Sequence, residues 1–118
     1  MSAAPPRHKF IVYAPDMTDE GALQRRLSVR PAHLQRAKEE IAKGVIKVAG
    51  AMLTPASIAS PDAEKKMVGS VFICEAESLE AVRELMESDV YHTAGVIRLQ
   101  WDKEKMLILP IALATELP

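Results

Sequence analysis

His33 sits in the stretch "RLSVRPAHL" (residues 26–34), close behind two arginines, Arg26 and Arg30. An imidazole can both take up and release a proton near neutral pH, since its ordinary pKa is about 6.5. On a continuous helix the three residues follow one another at spacings of three or four and line one strip. Such a strip can hold an anionic or enolic substrate with its arginines while the imidazole moves a proton. Pro31 lies inside the strip and can interrupt it. Two aspartates are candidates to orient the ring. Asp16 follows the first predicted strand, and Asp89 opens the turn after a predicted helix. Either can hold the imidazole tautomer as the second member of a dyad, although both also stand where turn and cap acids are ordinary. Ser70 and Tyr91 are candidate hydrogen-bond donors to a substrate. Trp101, like Tyr91, reads as a packing residue or the wall of a pocket.

Other chemistries find little support. His8, His33 and His92 form no HxxH, HxH or HExxH spacing, and Cys74 is the chain's single cysteine, so neither a metal site nor an internal disulfide is expected. The glycines fit neither GxGxxG nor a P-loop, and Ser70 is in no GxSxG elbow. No cofactor is therefore expected. A formal net charge of -1 offers no basic field for nucleic acid or anionic lipid. No run approaches the roughly 18 apolar residues that a membrane span needs. The first residues, "MSAAPPRHKF", lack the apolar centre of a secretory signal, and the expectation is a cytoplasmic protein.

The elements that must position these residues follow from periodicity. Residues 1–7 read as a proline-containing flexible tail and 8–118 as one domain, a length that hides roughly two thirds of the extended chain's surface. "HKFIVYA" (8–14) is a strand ended by Pro15 and Asp16. Asp19 is the expected N-cap of a short helical segment. Pro31 then opens a second segment with a core stripe of Leu34, Ala37 and Ile41, stopped by Gly44. Residues 45–54 form a second strand, 55–66 a proline-punctuated lid or rim, and 67–76 a third strand. Ser78 caps a helix over "SLEAVRELMES", with Leu79, Val82 and Met86 at helical spacing. After the "DVYHTAG" turn, the remainder is strand-like with a charged interruption at 102–105, read as a hairpin or a bulged strand. The order β-α-β-β-α-β is that of an α+β, ferredoxin-like unit with both helices on one sheet face.

Both sheet faces are apolar. Strand three places Val68, Phe72 and Cys74 on one side and Val71 and Ile73 on the other, while strand one sets Phe10 and Val12 against Ile11 and Tyr13. Two helices cover one face only. The other is expected to pack against a second copy, as a homodimer with a barrel-like pair of sheets.

The blocks "RLSVRPAHL" (26–34), "AGAM" (49–52), "GS" (69–70), "ESLEA" (77–81) and "DVYHTAGV" (89–96) resemble, in order and spacing, the YciI-like, or YCII-related, proteins. The resemblance runs over roughly residues 8–96. It implies a fold similar to that of the muconolactone isomerases, a dimeric α+β barrel of ferredoxin-like subunits. It also implies a histidine–aspartate pair in a pocket near the dimer interface. The histidine of the family's Arg-x-x-His-Leu pattern falls on His33 and its arginine on Arg30. The aspartate of its Asp-Pro-Tyr turn falls on Asp89 and the tyrosine on Tyr91, with Asp16 as a further candidate acid. Members include a dehydrochlorinase acting on a chlorinated hydroxyhydroquinone. This chain departs at Val90, where the family has proline, at Ala51, where Gly-Pro is usual, and in the length that follows Gly95.

Two functional readings result. In one, a cofactor-free lyase, isomerase or dehydratase uses His33 as acid and base on a small cyclic or aromatic metabolite. Asp89 or Asp16 orients the imidazole, while Arg30, Arg26, Ser70 and Tyr91 hold the substrate. In the other, the same pocket binds a small molecule without turnover, or merely completes a dimeric assembly.

Overall fold

The computed structural model describes residues 6–93 and 100–117. Most of the expected tail and the 94–99 part of the last strand-like segment lie outside the described residues. The element order is β1 (His8–Pro15), α1 (Ala22–Ala42), β2 (Ile46–Leu53), a 3₁₀ turn (Pro55–Ile58), β3 (Met67–Ala76), α2 (Leu79–Glu87), the short α3 (Val90–Thr93) and β4 (Leu107–Ile111). The four strands form one antiparallel sheet in the order β2-β3-β1-β4. This is the ferredoxin-like arrangement, α+β, with the two central strands paired from His8↔Ala76 to Pro15↔Gly69.

Alternation in the central strands decides where the core sits. Phe10, Val12 and Ala14 of β1 and Phe72, Cys74 and Ala76 of β3 point under the helices and are buried with Ile46, Val82 and Met86. Each large apolar side chain so buried contributes about 1.5–3 kcal/mol. Helix α2 forms as its spacing predicts. Ser78 accepts a hydrogen bond from the Ala81 amide (3.1 Å), Val82 and Met86 are buried, and Leu79 packs partly against them. Gly44 ends α1 at φ +78°, a conformation open to glycine at little cost.

Helix α1 differs from the expectation in three ways. It is one continuous helix of 21 residues with Pro31 inside it, instead of two segments. An interior proline costs about 3 kcal/mol, and the buried contacts of Arg26 and His33 on either side of it hold the helix through that position. Asp19 is not the N-cap. Gly21 takes the cap position, while the Asp19 carboxylate accepts two bonds from Arg25 at 2.9 and 3.0 Å, a charged fork being a stronger donor to it than a backbone amide. The stripe is also turned. Ala22, Arg26, His33 and Ala37 face the sheet, whereas Leu34 and Ile41, roughly a quarter turn around the axis, are 41% and 49% exposed. Val68 departs too. It shares the parity of Phe72 and Cys74 but lines a cavity at the sheet's end and stays exposed.

Among the described residues no helix covers the outer sheet face. Tyr13, Leu107 and Leu109 are 43%, 54% and 53% exposed there, beside half-buried Ile11, Val71 and Ile73. No helix among the described residues is long and apolar enough to cross a membrane.

Candidate active site

Helix α1 brings His33 and Arg26, two turns apart, to the sheet on one buried face. The imidazole meets the short connection after α2, where its Nδ1 lies 2.8 and 3.0 Å from the two carboxylate oxygens of Asp89. A carboxylate only accepts, so Nδ1 carries the hydrogen, which leaves Nε2 as the nitrogen free for proton transfer. Asp89 is itself locked, because its Oδ1 also accepts from the Tyr91 amide (2.9 Å). The same carboxylate is thus both the turn acid of its segment and the partner of the histidine. Both residues are buried, at 7% and 6% exposure.

Asp16 does not meet His33. At the end of β1 it accepts from Arg26, Nε to Oδ2 at 2.8 Å and Nη2 to Oδ1 at 3.2 Å. Arg26 Nη2 also donates to Ser70 Oγ (2.6 Å), which takes a second bond from Trp101 Nε1 (3.3 Å). Both lone pairs of the serine are occupied, so its own O–H is left to donate. Of the two acids left open as the partner of the imidazole, Asp89 is the one beside it, and Asp16 pairs with Arg26 instead. An arginine cannot shed its charge on burial, and the nearby carboxylate is what makes its position tolerable.

Tyr91 joins the two pairs. Its ring stacks on His33 (centroids 4.0 Å, planes 24° apart), and the Arg26 guanidinium lies 4.5 Å from its centroid. Burial pushes the Tyr91 hydroxyl above its ordinary pKa, while the charges of Arg26 and Arg30 pull it down. That hydroxyl is buried and has no hydrogen-bond partner among the described residues. His33 Nε2 and Arg26 Nη1 likewise make no bond among the described residues. Arg30 is exposed, so it stands at the rim instead of sharing the buried strip with Arg26 and His33. Phe72 and Trp101 complete a ring of aromatic groups around the imidazole.

The site's borders are uneven. A cavity of about 290 Å³ lies against Asp16, Thr54, Lys66 and Val68; of the 55–66 segment expected to form a lid or rim, Lys66 lines it and the rest does not. Ser57 ties that segment to itself by accepting from the Lys66 amide (2.9 Å). The imidazole does not line this cavity, nor the larger hollows beside α2 and the C-terminal residues. Among the described residues no group of three or more His, Cys, Asp or Glu side chains could hold a metal.

The YCII-related domain model matches residues 9–100, most of the chain. The chain belongs to the YCII-related family. Protein YciI of Escherichia coli is 40% identical to this YCII-related chain over 87 residues, 74% of this chain and 85% of that protein. A protein of Emericella nidulans described as derivative of benzaldehyde biosynthesis cluster protein C is 35% identical over 81 residues, 66% of this chain and 79% of that one. Among solved structures, 5-chloro-2-hydroxyhydroquinone dehydrochlorinase (TftG) from Burkholderia phenoliruptrix, in complex with 2,5-dihydroxybenzoquinone, is similar with a TM-score of 0.64 and 29% identity. The match covers 85% of this chain and 89% of that one.

Periodicity singled out Arg26 but not its partner, and it left Trp101 among the packing residues. The signal for the Arg26–Asp16 pair was a heptad: Arg26 and His33, seven residues apart, must share a helix face. If that face is buried, the arginine needs a carboxylate, and the first strand ends in one.

Proposed function

We propose that this chain is a cofactor-independent lyase or isomerase in which His33 and Asp89 form a proton-transfer dyad acting on a small hydroxylated or keto ring compound. The observation that supports it most is the bidentate seat of His33 Nδ1 on Asp89, which commits one nitrogen and leaves the other for chemistry. The dehydrochlorinase activity of its structural relative points to elimination as the reaction type. In such a step Nε2 accepts a proton from the ring compound. The electron pair left behind forms the new double bond, and the leaving group departs as its anion with the electrons of its own bond. No oxidant or reductant enters. Asp89 stabilises the imidazolium so formed. Negative charge that develops on a ring oxygen is met by the Tyr91 and Ser70 hydroxyls, with Arg30 at the rim. Fixed donors of this kind, aimed where charge develops, often contribute most to catalysis.

The chain is also proposed to act as a homodimer, with the apolar outer sheet faces of two copies packed together. A cytoplasmic setting accords with the buried, unpaired Cys74. That apolar face equally suits a dimeric binding module without turnover, which remains the second reading.

The test is release of chloride from chlorinated hydroxyhydroquinones, with the unsubstituted compound, which has no leaving group, as the control for binding. His33→Ala is expected to lose about 10²–10⁴ in rate while keeping its fold. Asp89→Asn, which frees the tautomer, is expected to lose a comparable amount. Full activity in His33→Ala refutes the dyad, and ligand binding without turnover of any compound in the set favours the binding module.

A further inference from the structure

Val68 shares the parity of buried Phe72 and Cys74 on β3, yet it is 43% exposed, and a cavity of about 290 Å³ lies against it. That cavity opens between the end of β1, the start of α1 and the two ends of the β2–β3 connection, against Met17, Leu23, Thr54, Lys66, Met67 and Val68. Backbone hydrogen bonds fix its walls. The Asp16 amide donates to the Val68 carbonyl (2.9 Å), the Met17 amide to the Gln100 carbonyl (2.8 Å) and the Thr54 amide to the Lys66 carbonyl (3.1 Å). The space is built into the fold and does not wait for an occupant to form it.

The lining selects the occupant. Met17, Leu23, Met67 and Val68 give it apolar walls, and the two thioethers can adjust to the shape of what enters. Its three acids, Asp16, Asp19 and Glu20, are matched by Arg26, Arg25 and Lys66, the first two through direct pairs, so there is no net charge to draw in an ion. Asp16 is the charged residue of this lining that is buried, at 6% exposure. Each of its oxygens accepts one bond from Arg26, and a carboxylate oxygen offers two lone pairs, so each keeps an acceptor position among the described residues. A second anion is repelled there, and a cation competes with Arg26 for the same carboxylate. An uncharged hydroxyl can donate to it and leave the Arg26 pair intact. Apolar cavities of about 150 Å³ take up benzene, so about 290 Å³ has room for one ring and its hydroxyl.

We propose that this cavity is a binding site, separate from the His33–Asp89 dyad, for an uncharged one-ring phenol whose hydroxyl donates to Asp16 and whose ring lies against Leu23, Met67 and Val68. An occupant there is one contact away from Arg26, and through it from Ser70 and Tyr91. The site stands whether or not the dyad turns over a substrate, because the imidazole lines no part of the cavity.

The experiment titrates the methyl-labelled full chain with phenol, toluene, benzoate and benzylamine at pH 7 and follows the Leu23, Met67 and Val68 methyl resonances. Phenol should shift them saturably and bind at least about tenfold tighter than toluene, which lacks the donor. Both charged rings should bind more weakly than phenol. Val68→Phe and Leu23→Phe put bulk into the cavity, and each should lower the phenol affinity read at Met67 by at least about tenfold. If one of the two does not fold, the other decides. His33→Ala should leave the phenol affinity unchanged, and loss of the methyl shifts in that variant would place the probe at the dyad and overturn the proposal. No saturable shift of these methyls, toluene binding as tightly as phenol, either charged ring binding more tightly than phenol, or an affinity unmoved in the filled variants would each overturn it as well, and would leave the dyad reading untouched.

Discussion

Removing the Asp16 carboxylate leaves Arg26 as an unpaired cation in the interior, and the size of that penalty can be worked from the contacts. The two side chains are 4% and 2% exposed, so water can replace little of what is lost. Breaking such a pair from one side costs about 3–5 kcal/mol. Asp16→Asn keeps one acceptor and belongs at the low end, about 3 kcal/mol, whereas Asp16→Ala keeps none and belongs near the upper end. Arg26→Met should cost less than Asp16→Ala, because a carboxylic acid left alone can take up a proton while a guanidinium cannot give one up. It does lose the contact over Tyr91, worth up to about 2 kcal/mol when desolvated. The double variant Arg26→Met/Asp16→Asn should therefore cost clearly less than the sum of its single changes, with a coupling of about 2–3 kcal/mol. Urea unfolding followed by the emission of Trp101 measures each corner of the cycle from inside the site. An Asp16→Ala variant within about 1 kcal/mol of the parent, or strictly additive single changes, would refute the view that this pair is a dry and coupled interaction.

Other perturbations test neighbouring steps of the argument. A Cβ at Gly69 would meet Met52 Cε, the Ala14 carbonyl oxygen at 2.8 Å and Pro15 Cα at 2.9 Å, so Gly69→Ala should destabilise by about 1–3 kcal/mol in a urea titration and displace the adjacent Ser70. The Cys74 thiol is pushed up to about 12 by burial and then by the charge of Glu40, so native protein should resist iodoacetamide at pH 8 and react once unfolded. Between the ordinary thiol value of 9.0 and 12 the folded chain keeps a proton that the unfolded chain has lost. Stability should accordingly fall as pH rises through that window, by at most about 1.4 kcal/mol per unit, and Cys74→Ala should flatten the slope measured at pH 9–10. On the outer sheet face, Tyr13→Lys combined with Leu109→Lys should shift light-scattering mass from dimer to monomer with the fold intact, and a parent that is already monomeric would remove the basis for the dimer.

What could be read from the chain and what could not divide along a physical line. Helix α2 was legible because Ser78 caps it and Leu79, Val82 and Met86 do nothing but pack, so an apolar period of about 3.6 reports the buried face directly. The central strands were legible for the same reason, since β1 and β3 alternate between a buried side and an open one. Helix α1 misled because the reading followed Leu34 and Ile41, which the fold leaves at the surface, and treated Pro31 as a boundary. Its true inner face carries an arginine and a histidine, and no hydropathy rule selects those two for burial. They go inside because Asp16, ten residues before Arg26, and Asp89, 56 residues after His33, are waiting there with carboxylates, and such pairings are invisible to a local period. Burying them brings no hydrophobic gain and a desolvation cost that only good geometry offsets. A helix that leaves Leu34 and Ile41 at the surface and buries an arginine and a histidine between two alanines is therefore spending stability on something other than folding, and the place where the pattern breaks is the place where the chemistry is to be sought.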